Sequence, residues 1–285
     1  MKKLFLKLKQ YKSDPLSLFL FLLVSIAALT TFLILVFLIG YILVKGVPYI
    51  TPSLFAFKYT STNVSLLPAL INTLTMTFLA LFIAAPIGIF SAIYLVEYSK
   101  KDNKYIEVIR ITAETLSGIP SIVYGLFGLL FFVTALGWGY SIIAGAFTLA
   151  IMILPLIMRT AEEALKSVSD SYREGSFGLG AGRLRTVFKI VLPAAIPGIL
   201  AGIILAIGRI VGETAALIYT AGTVADISTS ILASGRTLSV HMYVLSSEGF
   251  FVNQAYATAV MLLIIVIGIN WLSGFVAKKI VRGNE

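Results

Sequence analysis

The 285-residue sequence has no cysteine and a single histidine, and only 12% of its residues are charged. Without cysteine there is no disulfide and no thiolate metal site. His241 alone, in the loop 222–254, supplies neither a histidine metal cluster nor a Ser–His hydrolase; it reads as a solvated or packing residue. The charged fraction is about half of the ~25% usual in soluble domains. The phosphate loop G-x-x-x-x-G-K-[ST] is missing, and no Gly-Lys dipeptide occurs anywhere, so the chain has no nucleotide loop of that kind. Strand-type alternation of apolar and polar residues is absent as well.

What the sequence has instead is long apolar runs. It is 59% hydrophobic, with a mean hydropathy of +0.99. Uncharged runs cover 16–44, 59–96, 115–158, 190–208 and 250–277. A crossing helix needs about 20 such residues, and without strand patterning helices must make the crossings. As one helix, 119–158 would be roughly 60 Å long, twice the ~30 Å hydrocarbon layer. It must fold back, and Gly137-Trp138-Gly139-Tyr140 is the expected turn. The expected fold is an all-α integral membrane protein with six transmembrane helices, at about 17–44, 68–96, 119–136, 141–158, 195–221 and 255–276.

Basic residues are retained on the cytoplasmic side. With both termini cytoplasmic, 18 of the 22 Lys and Arg fall inside. Five are Lys2, Lys3, Lys7, Lys9 and Lys12, four lie in 97–118, six in 159–193 and three after Ala277. Lys45, Lys58 and Arg236 fall outside, and Arg209 within the membrane. The net charge of +9 therefore reports topology and leaves little for nucleic acid to explain. The first apolar run is too long for a cleaved signal and reads as a retained anchor. The expected organisation is a basic cytoplasmic N-terminus (1–15), a first span with a short external loop (16–66) and a transmembrane core (67–277). That core carries an internal loop at 159–193 and an external loop at 222–254, and a cytoplasmic tail follows (278–285).

One stretch breaks the apolar pattern: "AIGRIVGETAAL", 206–217. On a continuous fifth helix Arg209 lies ~16 Å deep, near the midplane. The i, i+4 spacing puts Glu213 on the same face, where the two charges would neutralise each other. A midplane charge costs roughly 2.5–3.5 kcal/mol, whereas a helical pair in water returns about 0.2–0.5 kcal/mol. Packing alone would favour leucine, so Arg209 and Glu213 are expected on a substrate pathway, with Thr214 and Asn72 as further polar groups. A pair that only joins neighbouring helices is the alternative. Thr220 is expected to bond its own backbone, and a helix-packing role suits Asn72 and Thr73 equally well. Gly198 and Gly202, then Gly208 and Gly212, repeat the small-xxx-small spacing that lets membrane helices approach closely.

The internal loop is the only such segment large enough to hold helices of its own. Ser171-Tyr172-Arg173-Glu174 fits a capping box. Gly178, Gly180 and Gly182 predict a break, and Arg183–Val191 a second helical run that stops at Pro193. Glu174-Gly175-Ser176, three residues, Gly180, nine residues and Ile190-Val191-Leu192-Pro193 resemble the EAA loop of ABC importer permeases, E-A-A-x₃-G-x₉-I-x-L-P. Gly175 and Ser176 depart from the usual alanines. The resemblance implies a coupling helix seated on a separate ATPase subunit, with Tyr172, Glu174, Phe177, Gly180, Ile190, Leu192 and Pro193 as coupling residues. Phe177 would be the buried apolar anchor.

The resemblance extends over about 200 residues. "NTLTMTFLALFIAAPIGIFSAIYLVEYS" (72–99), "TLSGIPSIVYGLFG" (115–128), "GRIVGETAALIYTAG" (208–222) and 239–263 are similar to the phosphate importer permeases of the Pst system. The GETAALIYTAG form resembles its PstA branch, with the PstC branch as the alternative. The resemblance implies the type I ABC importer permease fold and a place in the bacterial inner membrane. Its implied partners are a homologous permease (PstC), an ATPase (PstB, two copies) and a phosphate-binding protein (PstS). It implies inorganic phosphate as substrate, no cofactor and no catalysis on this chain. Arg209 would lower the barrier for the anion, and alternating access would be driven through the EAA loops. Sulfate or another oxyanion, and a gradient-driven anion transporter or channel, remain alternatives.

Overall fold

The computed structural model describes residues 15–99 and 104–282. Lys2, Lys3, Lys7, Lys9 and Lys12, Lys100 and Lys101 of the 97–118 loop, and 283–285 of the tail lie outside them. Every regular element among the described residues is helical: α1 (Pro15–Gly46), α2 (Leu67–Ile93), α3 (Lys104–Ser117), α4 (Ser121–Gly128), α5 (Ile142–Lys166), α6 (Asp170–Gly178), α7 (Arg183–Thr186), α8 (Leu192–Gly212), α9 (Ala215–Thr220), α10 (Leu238–Glu248) and α11 (Val252–Arg282). Five stretches are individually long and apolar enough to cross a membrane: Pro15–Tyr49, Leu67–Tyr98, Ile142–Lys166, Arg183–Gly212 and Val252–Leu272. The third expected span is different. Ser121–Ala135 is 15 residues, roughly 22 Å by helical rise, and forms one arm of a pair bent by 99° against α3. Pro120 stands at that corner, where its missing N–H and fixed φ end one helix and begin the next. The chain is a multi-pass membrane protein.

The centre of the bundle is α5 packed between α2 and α8. On α2 the buried residues Met76, Ala80, Ala84, Gly88 and Ala92 repeat every four positions and form a narrow stripe of mostly small side chains. Such a stripe lets two backbones approach closely where lipid supplies no hydrophobic drive for association. A Cβ on Gly88 would sit 2.9 Å from Ile157 Cγ2 of α5. Facing them, Leu149, Met152, Ile153 and Ile157 fill the gap with large side chains. On the other side of α5, Gly198 and Gly202 of α8 lie against Ala164 and Thr160; a Cβ on Gly198 would fall 2.6 Å from the Ala164 Cβ. Gly208 and Gly212 have nothing within 4 Å. Among the described residues the small-xxx-small pattern therefore seats only the first half of α8.

The expected glycine turn is present: Gly137 and Gly139 take φ of +69° and +64°, and Trp138 stacks on Phe132 at 5.3 Å. Two expectations about the fifth span are corrected. Pro193 does not stop the helix. A π-helical turn at Val187–Val191 precedes it, and Pro193 then falls in the first turn of α8, where no N–H is needed and helix continues from Arg183 to Gly212. Nor is 195–221 continuous, because α8 ends at Gly212 and Glu213 is extended (φ −71°, ψ 128°). A further difference lies in 222–254, which was expected as an external loop. It contains α10, whose Leu238, Val240, His241 and Leu245 are buried.

The two glycine pairs give a paired expectation. Gly202→Val, which must displace Thr160, should lower stability by about 1–3 kcal/mol as overpacking does. Gly208→Ala should leave the thermal midpoint of the isolated chain in detergent unchanged. Equal midpoints for the two variants would contradict this packing.

Candidate functional site

The interruption at Gly212-Glu213-Thr214 breaks the expected i, i+4 pair. Arg209 stays in the last turn of α8, where the negative end of the helix dipole favours a cation. Glu213 has left the helix and is buried. Its Oε1 accepts a hydrogen bond from the Ala216 amide at 3.1 Å, satisfying one open donor in the first turn of α9, the end of a helix that favours an anion. The Ser239 hydroxyl of α10 donates to the Glu213 carbonyl at 2.5 Å. The two charges thus answer two helix ends instead of each other. Among the described residues, every ion pair joins other groups, and Arg209 is in none. Arg209 is partly exposed; Tyr124 of α4 is buried, and its hydroxyl donates to the Leu116 carbonyl at 2.7 Å.

The α4 glycines explain where α9 sits. A Cβ on Gly125 would be 2.8 Å from Ala216 Cα, and one on Gly128 would be 2.6 Å from Thr220 Cγ2. The string GIPSIVYGLFG is a seat for the second half of the broken span. Thr220 bonds the Ala216 carbonyl of its own helix (2.8 Å), as expected. Thr214 is partly exposed and lines a largely apolar groove of about 420 Å³ with Met242, Tyr243 and Tyr256. Asn72 is elsewhere. It is buried, its Nδ2 donates to the Asp226 and Arg236 carbonyls at 3.1 and 3.3 Å, and its Oδ1 accepts from the Ser228 amide at 3.1 Å. That side chain holds the 222–237 segment onto α2, and Thr73 beside it accepts from the Leu238 amide at 2.9 Å.

The loop 159–193 folds as a short helix, a glycine break and a second helix. Its cap is corrected by two residues. The Ser169 hydroxyl, and not that of Ser171, accepts from a first-turn amide, so the Ser171–Glu174 capping box does not form. Gly180 takes φ +84°, a left-handed conformation that glycine adopts without strain. Ser176 is buried and shares a 2.8 Å hydrogen bond with the Thr186 hydroxyl, which accounts for a serine where the resembled family has alanine. Tyr172, Phe177 and Leu179 are 59%, 44% and 91% exposed, and Glu174 is exposed. Tyr172, Gly175 and Leu179 line one groove of about 640 Å³ together with Gly180 and Ile190. Leu192 and Pro193 are partly buried at the start of α8.

The model of the family described as "Binding-protein-dependent transport system inner membrane component" matches residues 84–282. The chain belongs to that permease family. A probable ABC transporter permease of Bacillus subtilis, YqgI, is 35% identical over 274 residues, 87% of this chain and 91% of that protein. "Phosphate transport system permease protein PstA 1" of Mycobacterium tuberculosis is 35% identical over 205 residues, covering 71% and 67%. Among solved structures, a bacterial alginate ABC transporter in complex with an alginate-bound periplasmic protein superposes with a TM-score of 0.66 at 17% identity, covering 95% of this chain and 97% of that one. The inward-facing methionine transporter MetNI gives 0.58 at 21% identity, covering 73% and 93%. The fold is that of ABC importer permeases.

Several residues of the permease site carry no signal in the sequence pattern. Ser239 and Ala216 meet Glu213 only because the helix breaks. Leu179 completes an i, i+3, i+7 stripe with Tyr172 and Gly175, a spacing visible in the sequence once α6 is known to be helical. At the end of the permease opposite α6, His241 is fully buried and meets Tyr59 edge-on at 6.1 Å, while the Arg236 guanidinium lies 4.7 Å above the same ring. Burial, then the nearby Arg236 charge, lower the His241 pKa to about 3. The neutral ring is the packed form. An unfolded chain binds this proton below about pH 6.5 and the folded one only near pH 3, so acidification through this window favours unfolding. His241→Leu should flatten the loss of thermal stability between pH 6.5 and 3, and an unchanged pH profile would contradict a buried neutral imidazole.

Proposed function

We propose that this chain is one of two permease subunits of an ATP-driven phosphate importer, of the PstA type, in the bacterial inner membrane. The observation that carries the reading is Arg209, a guanidinium at the interruption of the fifth span with no carboxylate paired to it. Phosphate at neutral pH is a mono- or dianion with several acceptor oxygens, and a guanidinium presents a fixed fork of donors with permanent charge. Glu213, turned away to cap α9, leaves that fork available. Helix breaks at membrane depth are tolerated where the freed backbone lies in protein or lines a cavity, and in transporters they mark binding sites. Thr214, at the same break, adds a hydroxyl to the pathway. Asn72 organises the adjacent loop. Phosphate-transport relatives support the choice of anion.

Energy enters at the other end. The basic loops and both termini lie in the cytoplasm, and α6 presents Tyr172, Phe177 and Leu179 to a separate ATPase, with Gly180 turning the chain back. A homologous permease, PstC, completes the pathway. PstB would supply two ATPase copies, and PstS would deliver phosphate from outside. ATP-driven closure of the ATPases pushes on α6, and the two permeases reorient around the midplane site. Hydrolysis occurs on the partner, so this chain moves and does not catalyse.

Arg209→Gln should abolish phosphate uptake into proteoliposomes while insertion and ATPase association persist; uptake at the wild-type rate would remove Arg209 from the pathway. Independently, Phe177→Ala with Leu179→Ala should reduce ATPase co-purification at least tenfold, since buried apolar anchors dominate such interfaces. Undiminished association would contradict docking at α6.

A further inference from the structure

Arg173 is the most fully bonded charged side chain among the described residues, and neither the importer reading nor the resemblance gives it a role. Its Nε donates to Glu97 Oε1 at 3.1 Å and its Nη2 to the same oxygen at 2.7 Å. Nη2 also donates to the Leu165 carbonyl at 3.0 Å, and Nη1 donates to the Val168 carbonyl at 2.7 Å and to Asp170 Oδ1 at 3.1 Å. A guanidinium has five N–H donors in a fixed planar fork, and all five are used. The side chains of Arg173 and Glu97 are 14% and 7% exposed.

These contacts join three elements. Glu97 lies in the π-helical turn Tyr94–Tyr98 that ends the second span. Leu165 lies in the last turn of α5, the most buried of the candidate spans, and Val168 just beyond its end. Arg173 itself is on α6, one turn before Ser176. One turn on, α6 is also held by the buried Ser176–Thr186 bond to α7, and α7 runs on into α8 and Arg209. α6 is thus tied by Arg173 to the ends of α2 and α5 and by Ser176 to α7, while Tyr172 and Leu179 stay exposed. Arg183 of α7 also lies over the Tyr98 ring at 5.8 Å, beside Glu97.

We infer that Arg173 is a positioning residue that makes α6 rigid with the ends of α2 and α5, so that a push on α6 moves the α2–α5 pair instead of only bending the loop. The inference rests on the importer reading above. A short helix linked by glycine at 178, 180 and 182 transmits force only as well as its anchors hold it. The carbonyls of Leu165 and Val168 and the Glu97 carboxylate form a seat that a planar fork fills and a lysine ammonium, with three donors on a flexible stem, does not. Tyr172, Phe177 and Leu179, the groups proposed to dock an ATPase, make none of these bonds and are exposed. Loss of the anchor therefore separates ATP turnover from transport without removing the docking surface.

The experiment uses the complete transporter in proteoliposomes with its phosphate-binding protein and reads three quantities: ATPase co-purification, ATP hydrolysis and phosphate uptake. Arg173→Lys should keep association and hydrolysis while the number of ATP molecules consumed per phosphate imported rises at least tenfold. Glu97→Gln, which leaves both carbonyl bonds and the Asp170 contact in place, should show a smaller rise in the same direction, and it carries the test if Arg173→Lys does not assemble. An unchanged ratio in the assembled variants overturns the inference, as does loss of ATPase association in Glu97→Gln, which would make the pair part of docking or folding. A wild-type complex that imports phosphate without hydrolysing ATP would instead overturn the importer reading on which the inference stands.

Discussion

A helix inside lipid can stop only where its freed backbone groups meet protein, because each one left bare costs several kcal/mol. The junction at Gly212-Glu213-Thr214 meets that condition with two bonds. The Glu213 carboxylate takes the Ala216 amide, and the Ser239 hydroxyl donates to the Glu213 carbonyl. The rest of the site depends on this closure. It fixes where α8 ends and keeps Arg209 at its C-terminal turn. It also places α9 on the α4 glycines and draws α10 inward so that Ser239 can reach. An acidic residue that looks like the counter-ion of Arg209 is thereby occupied elsewhere.

The same economy governs the packing. Lipid tails are as apolar as leucine, so association of α2 with α5 relies on close contact, which Ala80, Ala84, Gly88 and Ala92 permit. Gly198 and Gly202 repeat the arrangement between α8 and α5. Among the described residues Gly208 and Gly212 meet nothing within 4 Å, and they flank Arg209. The first half of α8 is packed on α5 through its glycines, and the half that bears the charge buries Ala206, Ile210 and Val211 while its Gly208 and Gly212 face open space among the described residues. The arginine of this span lies in the last turn of α8, where the helix dipole favours a cation.

Much of this was legible in the sequence, and the rest was hidden for physical reasons. Apolar run lengths located the spans and the glycines at 137 and 139 the turn, but the fourth span runs on to Lys166 and the fifth covers Arg183–Gly212 where 141–158 and 195–221 were expected. The EAA spacing located α6 and its left-handed Gly180. Periodicity failed at the fifth span because it carries no information about where a helix stops in mid-membrane. Arg209 and Glu213 at i, i+4 look identical whether the helix runs on or breaks between them, and the break depends on Ser239, 26 positions later. Pro193 misled in the opposite sense, since a π-helical turn absorbs it. Asn72 looked like a polar lining group, yet its partners are backbone groups more than 150 residues away. Arg173 and Glu97 are 76 positions apart, and only the fold brings them together.

The proposed crossing of an anion at Arg209 is powered by ATP through α6. Its most direct test is hydrolysis and uptake measured together in proteoliposomes holding both permeases and the ATPase. Binding protein loaded with phosphate, and binding protein offered sulfate, would be compared in the presence and absence of an ion gradient. Phosphate should stimulate ATP hydrolysis and accumulate without any gradient, and sulfate should do neither. Phosphate accumulation that follows an imposed gradient and is indifferent to ATP would contradict the account.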